Sequence, residues 1–196
     1  MGNIFCIMGK SSSGKDTLYK KIVSSNALPL KTLVSYTTRP IRQGETNNIE
    51  YFFSNEETLT KLLAEKKVIE LRSYDTIHGT WKYFTVDDHQ LNLDIDSYLV
   101  IGTLESYRKM QDYFGIDRII PIYIVVADAL RLQRALDRER AQEHPCYQEL
   151  CRRFLADDSD FSKEKLLKAG INRIFQNEDS EKTKDEIITY ISGFIS

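Results

Sequence analysis

Nine consecutive residues, Gly9-Lys10-Ser11-Ser12-Ser13-Gly14-Lys15-Asp16-Thr17, have the makings of a phosphate cradle. They follow the pattern G-x-x-x-x-G-K-[ST] up to the lysine, with Asp16 where a hydroxyl is expected. Gly9 and Gly14 permit a backbone that turns successive N–H groups inward. A helix starting there adds partial positive charge, and Lys15 can reach the terminal phosphates. Ser11, Ser12, Ser13 and Thr17 are candidate donors to the same oxygens. The carboxylate of Asp16 suits the first turn of a helix, and it is a candidate Mg²⁺ ligand, directly or through water. A serine-rich turn capping a helix is the plain alternative; an apolar strand before the loop and helical spacing after it favour phosphate.

A second set of groups lies downstream. Ser35-Tyr36-Thr37-Thr38-Arg39-Pro40-Ile41-Arg42-Gln43-Gly44-Glu45 precedes Glu50-Tyr51-Phe52-Phe53. Arg39 and Arg42, three apart beside a proline, can fork onto one phosphate, and Tyr51 can add a hydroxyl. Glu70 emerges from an apolar run, where a carboxylate is costly unless donors meet it. Arg131, Arg134 and Arg138 share one face of a helix, and Arg152-Arg153 follow on the next. No lysine occurs from Gln111 to Ser162 or from Thr32 to Thr60. Arginine, with its planar fork of donors, suits phosphate better than lysine's hydrated point charge. Surface salt bridging with Asp137, Glu139 and Glu149 is the competing explanation for the later arginines.

The elements that must position these groups alternate. Apolar runs at Asn3–Met8, Ser97–Ile101 and Arg118–Val126 predict buried strands of a parallel sheet. Short strands are expected at Thr32–Tyr36, Ile49–Ser54, Val68–Tyr74 and Asn172–Phe175. Pro121 predicts an edge or bulge within its strand. Helices are expected at Lys15–Ser25, Asn55–Glu65 with Asn55 as N-cap, Asp128–Arg138 with Asp128 capping, Tyr147–Asp160 and Ser180–Phe194. The segment Glu139–Pro145 reads as polar and exposed. The order predicts an α/β fold: a P-loop parallel sheet flanked by helices, with an inserted lobe over about 35–90 and a helical lid over about 138–153. The core then comprises 1–34, 91–137 and 154–196, all within a single domain.

The chain is similar to the guanylate kinase family, which carries S-x-T-T-R-x-x-R-x-G-E followed by a Tyr–Phe pair. The resemblance runs from Asn3 to about Asn177. It implies ATP-dependent phosphorylation of GMP or dGMP to GDP or dGDP, with ATP and Mg²⁺ on Gly9–Thr17 and Asn177 near the adenine. The acceptor would lie on Ser35, Arg39, Arg42, Tyr51, Glu70, Tyr83 and Thr85. Tyr83 and Thr85 are placed by matching His78–Thr85 to the family's G-N-Y-Y-G-[ST] turn, which is one residue shorter; His78 itself is not assigned as a base. Lys15, Arg39, Arg134, Arg138 and Arg153 would stabilise the transferred phosphoryl group. Whether Arg152 or Arg153 fills the last role stays open, because the turn before them departs from the family's G-R-G-T.

One departure bears on specificity. The family has acids in an L-D-[IV]-D-x-Q-G segment, one of them reading the guanine amino group. The matched positions here are Ile101 and Thr103, with Glu105 two residues on. This leaves two rivals: the same machinery on another nucleotide or a sugar phosphate, or a binding module of the same fold without turnover.

Composition bounds the partners. The 196 residues carry a net charge of −2, which argues against a surface that grips nucleic acid through bulk positive charge. No apolar stretch approaches the roughly 20 residues of a membrane span, and the amino end has no basic n-region. A cytoplasmic monomer or homodimer, with no nucleic-acid or membrane partner, is expected. Cys6, Cys146 and Cys151 have no metal-binding spacing and are expected to be reduced thiols.

Overall fold

A computed structural model of the chain describes residues 1–42, 44–76, 79–88 and 90–195. Gln43 and His78, both within the motifs above, lie outside the described residues.

The core is a five-stranded parallel sheet in the order β2-β7-β1-β8-β9, built from Leu30–Thr32, Ser97–Ile101, Ile4–Met8, Ile119–Val125 and Ile174–Gln176. β1 (Ile4–Met8) is central and buried on both faces. Ile4, Cys6 and Met8 enter one apolar cluster, with Tyr98, Val100, Tyr107 and Met110. Phe5 and Ile7 enter the other, with Leu18, Ile22, Ile187 and Ile191. The period of two explains why this strand reads as an uninterrupted apolar run. The clusters are completed by α1 (Lys15–Ser25) and α7 (Ser180–Ser192) on one face and by α3 (Leu104–Phe114) on the other.

Between the second and third core strands in chain order, the chain builds a separate four-stranded sheet in the order β4-β3-β6-β5, from Phe52–Phe53, Tyr36–Thr37, Gly79–Val86 and Val68–Thr76. Helix α2 (Glu56–Ala64) packs on it through buried Leu59, beside Phe84 and Val86. Asn55 caps that helix as expected, its side chain accepting from the Thr58 N–H at 2.8 Å. After β8 come α4 (Asp128–Arg140), α5 (Tyr147–Asp160) and α6 (Lys163–Lys168).

Several expectations change. The strand at Thr32–Tyr36 is two pieces: β2 pairs with β7, and β3 pairs with β4 and β6, so the chain passes from one sheet to the other at 33–35. The strand at Ile49–Ser54 contracts to Phe52–Phe53, because Asn48 takes a left-handed φ of 70° and starts a turn. At Pro121 the register with β1 is unbroken, and pairing with β9 begins only at Tyr123. The expected edge is therefore local, on the β9 side, where no partner needs the missing N–H. Asp128 does not cap α4; it is the first helical residue, and its carboxylate accepts from Arg131 instead. Helix α4 runs two residues past Arg138, so only 141–146 link it to α5. Helices α3 and α6 lie outside the elements expected from periodicity.

Candidate active site

The phosphate loop joins the carboxyl end of β1 to α1, at the point where the sheet order reverses around its central strand. Its shape depends on two left-handed residues, Ser12 at φ 62° and Gly14 at φ 85°. Gly14 also sits so close to Asn177 that a Cβ would lie 2.4 Å from that side chain's nitrogen. Asn177, buried at the end of β9, donates from Nδ2 to the Ser13 carbonyl at 2.8 Å. The structure therefore gives Asn177 a second task, holding the loop. Among the described residues, the hydroxyls of Ser12 and Ser13 and the Asn177 amide oxygen are buried without a hydrogen-bond partner. Unpartnered polar atoms of this kind are rare in folded proteins. Lys15 Nζ has Asp16 as its one carboxylate neighbour among the described residues, at 3.8 Å.

In the second sheet, Ser35, Thr85 and Glu70 come together. Thr85 Oγ1 donates to Glu70 Oε1 at 2.8 Å and lies 3.5 Å from Ser35 Oγ. The two strands place this group: Glu70 on β5 stands opposite Thr85 on β6. Sequence reasoning did not anticipate Arg72, opposite Tyr83 on the same ladder. It donates to Glu70 from Nε at 2.9 Å and from Nη2 at 3.1 Å, and from Nη1 to Thr103 Oγ1 at 3.3 Å. The signal available was a second charged residue two positions from Glu70, hence on the same strand face. Glu105 does not replace the missing acid; it pairs with Lys109 at 2.7 Å on the exposed side of α3.

Arg39 and Arg42 do not form one fork. Arg39 is 3% exposed, clamped to Glu45 at 2.8 and 3.0 Å and lying over the rings of Tyr51 and Phe53. Arg42 is exposed and stacks on Trp81, 5.8 Å from its centroid. Glu45 joins them, since it also accepts from the Arg42 N–H at 2.8 Å. Tyr51 and Tyr83 meet edge to face at 5.6 Å. Burial, followed by the neighbouring Tyr83, pushes the Tyr51 hydroxyl up to about 12, so it remains a proton-bearing donor.

The arginines of α4 divide. Arg131 is 1% exposed and spoken for: Asp128 and Asp157 bind its guanidinium, Phe154 stacks beneath it at 4.1 Å, and it donates to the Ser11 carbonyl. Arg134 reaches the loop, with Nη1 3.7 Å from where a Cβ on Gly14 would stand. Arg138 and Arg153 line a recess between α4, α5 and Ser11. Burial, then the adjacent Arg153 guanidinium, pulls Arg138 below its ordinary pKa, which marks positive charge short of an anion. Arg152 instead faces outward in a bidentate pair with Glu149 at 2.7 and 2.8 Å. Geometry thus places Arg153, not Arg152, beside Arg138.

Among the described residues no group of three or more His, Cys, Asp or Glu side chains could hold a metal by itself. Asp16 offers one exposed carboxylate at the start of α1. That donor set fits Mg²⁺, which commonly takes one or two carboxylates and completes its octahedron with water and phosphate oxygens.

A guanylate kinase family model matches residues 1–100. A guanylate kinase of Neisseria meningitidis serogroup B is 30% identical over 146 residues, 72% of this chain and 69% of that protein. The chain belongs to the guanylate kinase family. A guanylate kinase of Neisseria gonorrhoeae is 29% identical over 177 residues, covering 83% of this chain and 82% of that protein. The crystal structure of guanylate kinase from Anaplasma phagocytophilum superposes with a TM-score of 0.70 over 98% of this chain and 85% of the other, at 19% identity, which establishes likeness of fold. Guanylate kinases are nucleoside monophosphate kinases, and the P-loop core with its inserted sheet is the architecture seen here. No helix among the described residues is long and apolar enough to cross a membrane.

Proposed function

We propose that this chain transfers the terminal phosphoryl group of ATP to GMP or dGMP. The observation that carries this reading is the Arg138–Arg153 pair facing Ser11 of a loop in which the hydroxyls of Ser12 and Ser13 have no partner among the described residues: cations and donors converge on one recess.

In this reading Gly9–Thr17 cradles the ATP phosphates, with Lys15 on the terminal ones and Asn177 fixing the loop. Asp16 would hold Mg²⁺ together with phosphate oxygens, and the ion would neutralise charge on the β- and γ-phosphates. Arg42, Tyr51, Tyr83 and Arg39 receive the acceptor phosphate, and Ser35, Glu70 and Thr85 line the base. For Arg39 this requires sharing its guanidinium with Glu45. Phosphoryl transfer has a loose transition state with charge spread over equatorial oxygens, so positioned cations are the main catalytic need. Lys15, Arg39, Arg134, Arg138 and Arg153 supply them. Closure of the inserted sheet and of α4–α5 over the loop excludes water and suppresses wasteful hydrolysis. No covalent intermediate is involved.

The test is a coupled assay of ADP release with ATP, Mg²⁺ and each of GMP, dGMP, AMP, CMP and UMP. Turnover preferring guanine nucleotides is expected. Release of ADP without guanine preference points to another phosphorylated acceptor. No release with any of them points to a binding module of the same fold.

A further inference from the structure

The helical hairpin of α4 and α5 is pinned to the phosphate loop at Ser11. Asp157 Oδ2 accepts from the Ser11 N–H at 2.9 Å and from Arg131 Nη1 at 2.9 Å. Asp157 Oδ1 accepts from the Ser11 hydroxyl at 3.4 Å. Arg131 Nη1 also donates to the Ser11 carbonyl at 3.3 Å. An ion pair thus holds Ser11 by both its backbone N–H and its carbonyl. Asp158, the next residue, takes Lys10 Nζ instead. The pair is shielded from water: Arg131 is 1% exposed and Asp157 14%, and the Phe154 ring lies 4.1 Å from the guanidinium. A buried charge that loses its partner is costly, so this geometry is firmly held.

Helical geometry carries that fixed point outward. Arg138 follows Arg131 by seven residues, so it stands on the same face of α4, about 10 Å further along. Arg153 precedes Asp157 by four residues, on the same face of α5, about 6 Å away along the axis. Both arginines line one recess with Ser11. The link over 141–146 joins the two helices at one end of the hairpin, and the Arg131–Asp157 pair joins them at the other, with Arg138 and Arg153 between. Two guanidinium groups in one recess repel each other, and the Arg131–Asp157 pair resists the splaying this favours. An ion pair serving stability alone need only join α4 to α5; this one also closes on the backbone of the loop.

We infer that the Arg131–Asp157 pair, closed on Ser11, sets where Arg138 and Arg153 stand over the phosphate loop, which makes Asp157 a positioning residue for phosphoryl transfer. Its carboxylate is spent on Ser11 and Arg131, so it acts on the reaction only through the two arginines. The inference rests on the proposed nucleoside monophosphate kinase activity and names what holds two of its cations in place.

The experiment is steady-state kinetics with ATP and GMP each varied in the presence of Mg²⁺, on variants shown by thermal melts to be folded at the assay temperature. Asp157→Ala is expected to lower kcat about 10²-fold, the cost of misplacing groups at a reacting centre by about 1 Å. KM for either substrate is expected to move by less than about threefold, because the lost interaction concerns the transition state. In an Arg153→Ala background the same substitution is expected to cost less than about tenfold, since one of the groups it positions is already gone. If Asp157→Ala does not fold, Arg131→Lys takes its place. It keeps the charge, gives up the planar fork that reaches Asp157 and the Ser11 carbonyl together, and is expected to show the same kcat loss and the same non-additivity. A kcat within about threefold of native, a loss carried by KM for ATP, or an equal loss with and without Arg153 overturns the inference and leaves the kinase activity standing. Absence of turnover in the native chain overturns the kinase activity, and the positioning role with it.

Discussion

The carboxylate of Asp157 on α5 accepts a hydrogen bond from the backbone N–H of Ser11, in the phosphate loop, at 2.9 Å. The same oxygen accepts from Arg131 Nη1 at 2.9 Å, so one side chain ties the loop, α4 and α5 together. The loop is thus braced from the helical side by an acid, while Asn177 braces it from the sheet side.

Asp157→Ala is expected to destabilise the fold by about 3 kcal/mol, the lower end of the range for removing one partner of a buried ion pair. The lower end applies because Asp128 still binds Arg131. Urea unfolding of the variant and the native chain measures the difference. A loss below about 0.5 kcal/mol, the size of an exposed pair, contradicts the bracing role.

Lys15→Ala and Arg138→Ala are each expected to lose most of kcat, for Arg138 by roughly 10³-fold as for other arginines that close on a transferring phosphoryl group. Stability separates Arg138 from a structural arginine. Its guanidinium shares a recess with that of Arg153, so removing it relieves repulsion, and Tm is expected to stay level or rise. Near-native turnover in either variant sinks the phosphoryl-transfer assignment.

Asn177→Ala removes the bond to the Ser13 carbonyl and leaves a buried acceptor unpaired, at a cost of about 1–3 kcal/mol. Because the lost contact shapes the loop and not the acceptor site, KM for ATP is expected to rise more than KM for GMP. Steady-state kinetics with each substrate varied in turn reads the split, and an equal rise in both constants contradicts it.

Glu45 is one source of acid sensitivity. Burial works to raise its pKa, but the Arg39 fork and the Arg42 N–H more than offset this and hold it below the usual 4.5. A depressed folded value means the stabilisation is complete above 4.5 and is lost as pH falls through the lower folded value. Thermal melts from neutral to acidic pH are expected to show an acid limb that is shallower in Glu45→Gln. Equal slopes in the two proteins remove Glu45 as a source of the pH dependence.

The sequence was most informative where a backbone conformation needs a particular residue or where a strand is buried on both faces. Gly9, Gly14 and Lys15 locate the phosphate loop because few residue types permit its geometry, and β1 and β7 appear at Ile4–Met8 and Ser97–Ile101 because both of their faces are apolar-lined. The family resemblance rested on residues spaced within one short segment, Ser35 to Glu45. Partner choice was not legible in this way. Arg39 and Arg42 look alike on paper, yet one is clamped by Glu45 and the other rests on Trp81. Arg131, Arg134 and Arg138 share a helix face, and contact with Asp128, Asp157 and Phe154 separates the buried brace from Arg138, which has no ion-pair partner among the described residues.

The α/β class, the loop and the identity of the charged groups are legible in the chain alone, because local conformation and periodic burial are properties of neighbouring residues. Which charges are already neutralised depends on the folded arrangement. Arg72 covers Glu70, and Asp157 holds Ser11 across 146 residues of chain, because ion pairing depends on distance in space and the fold sets that distance.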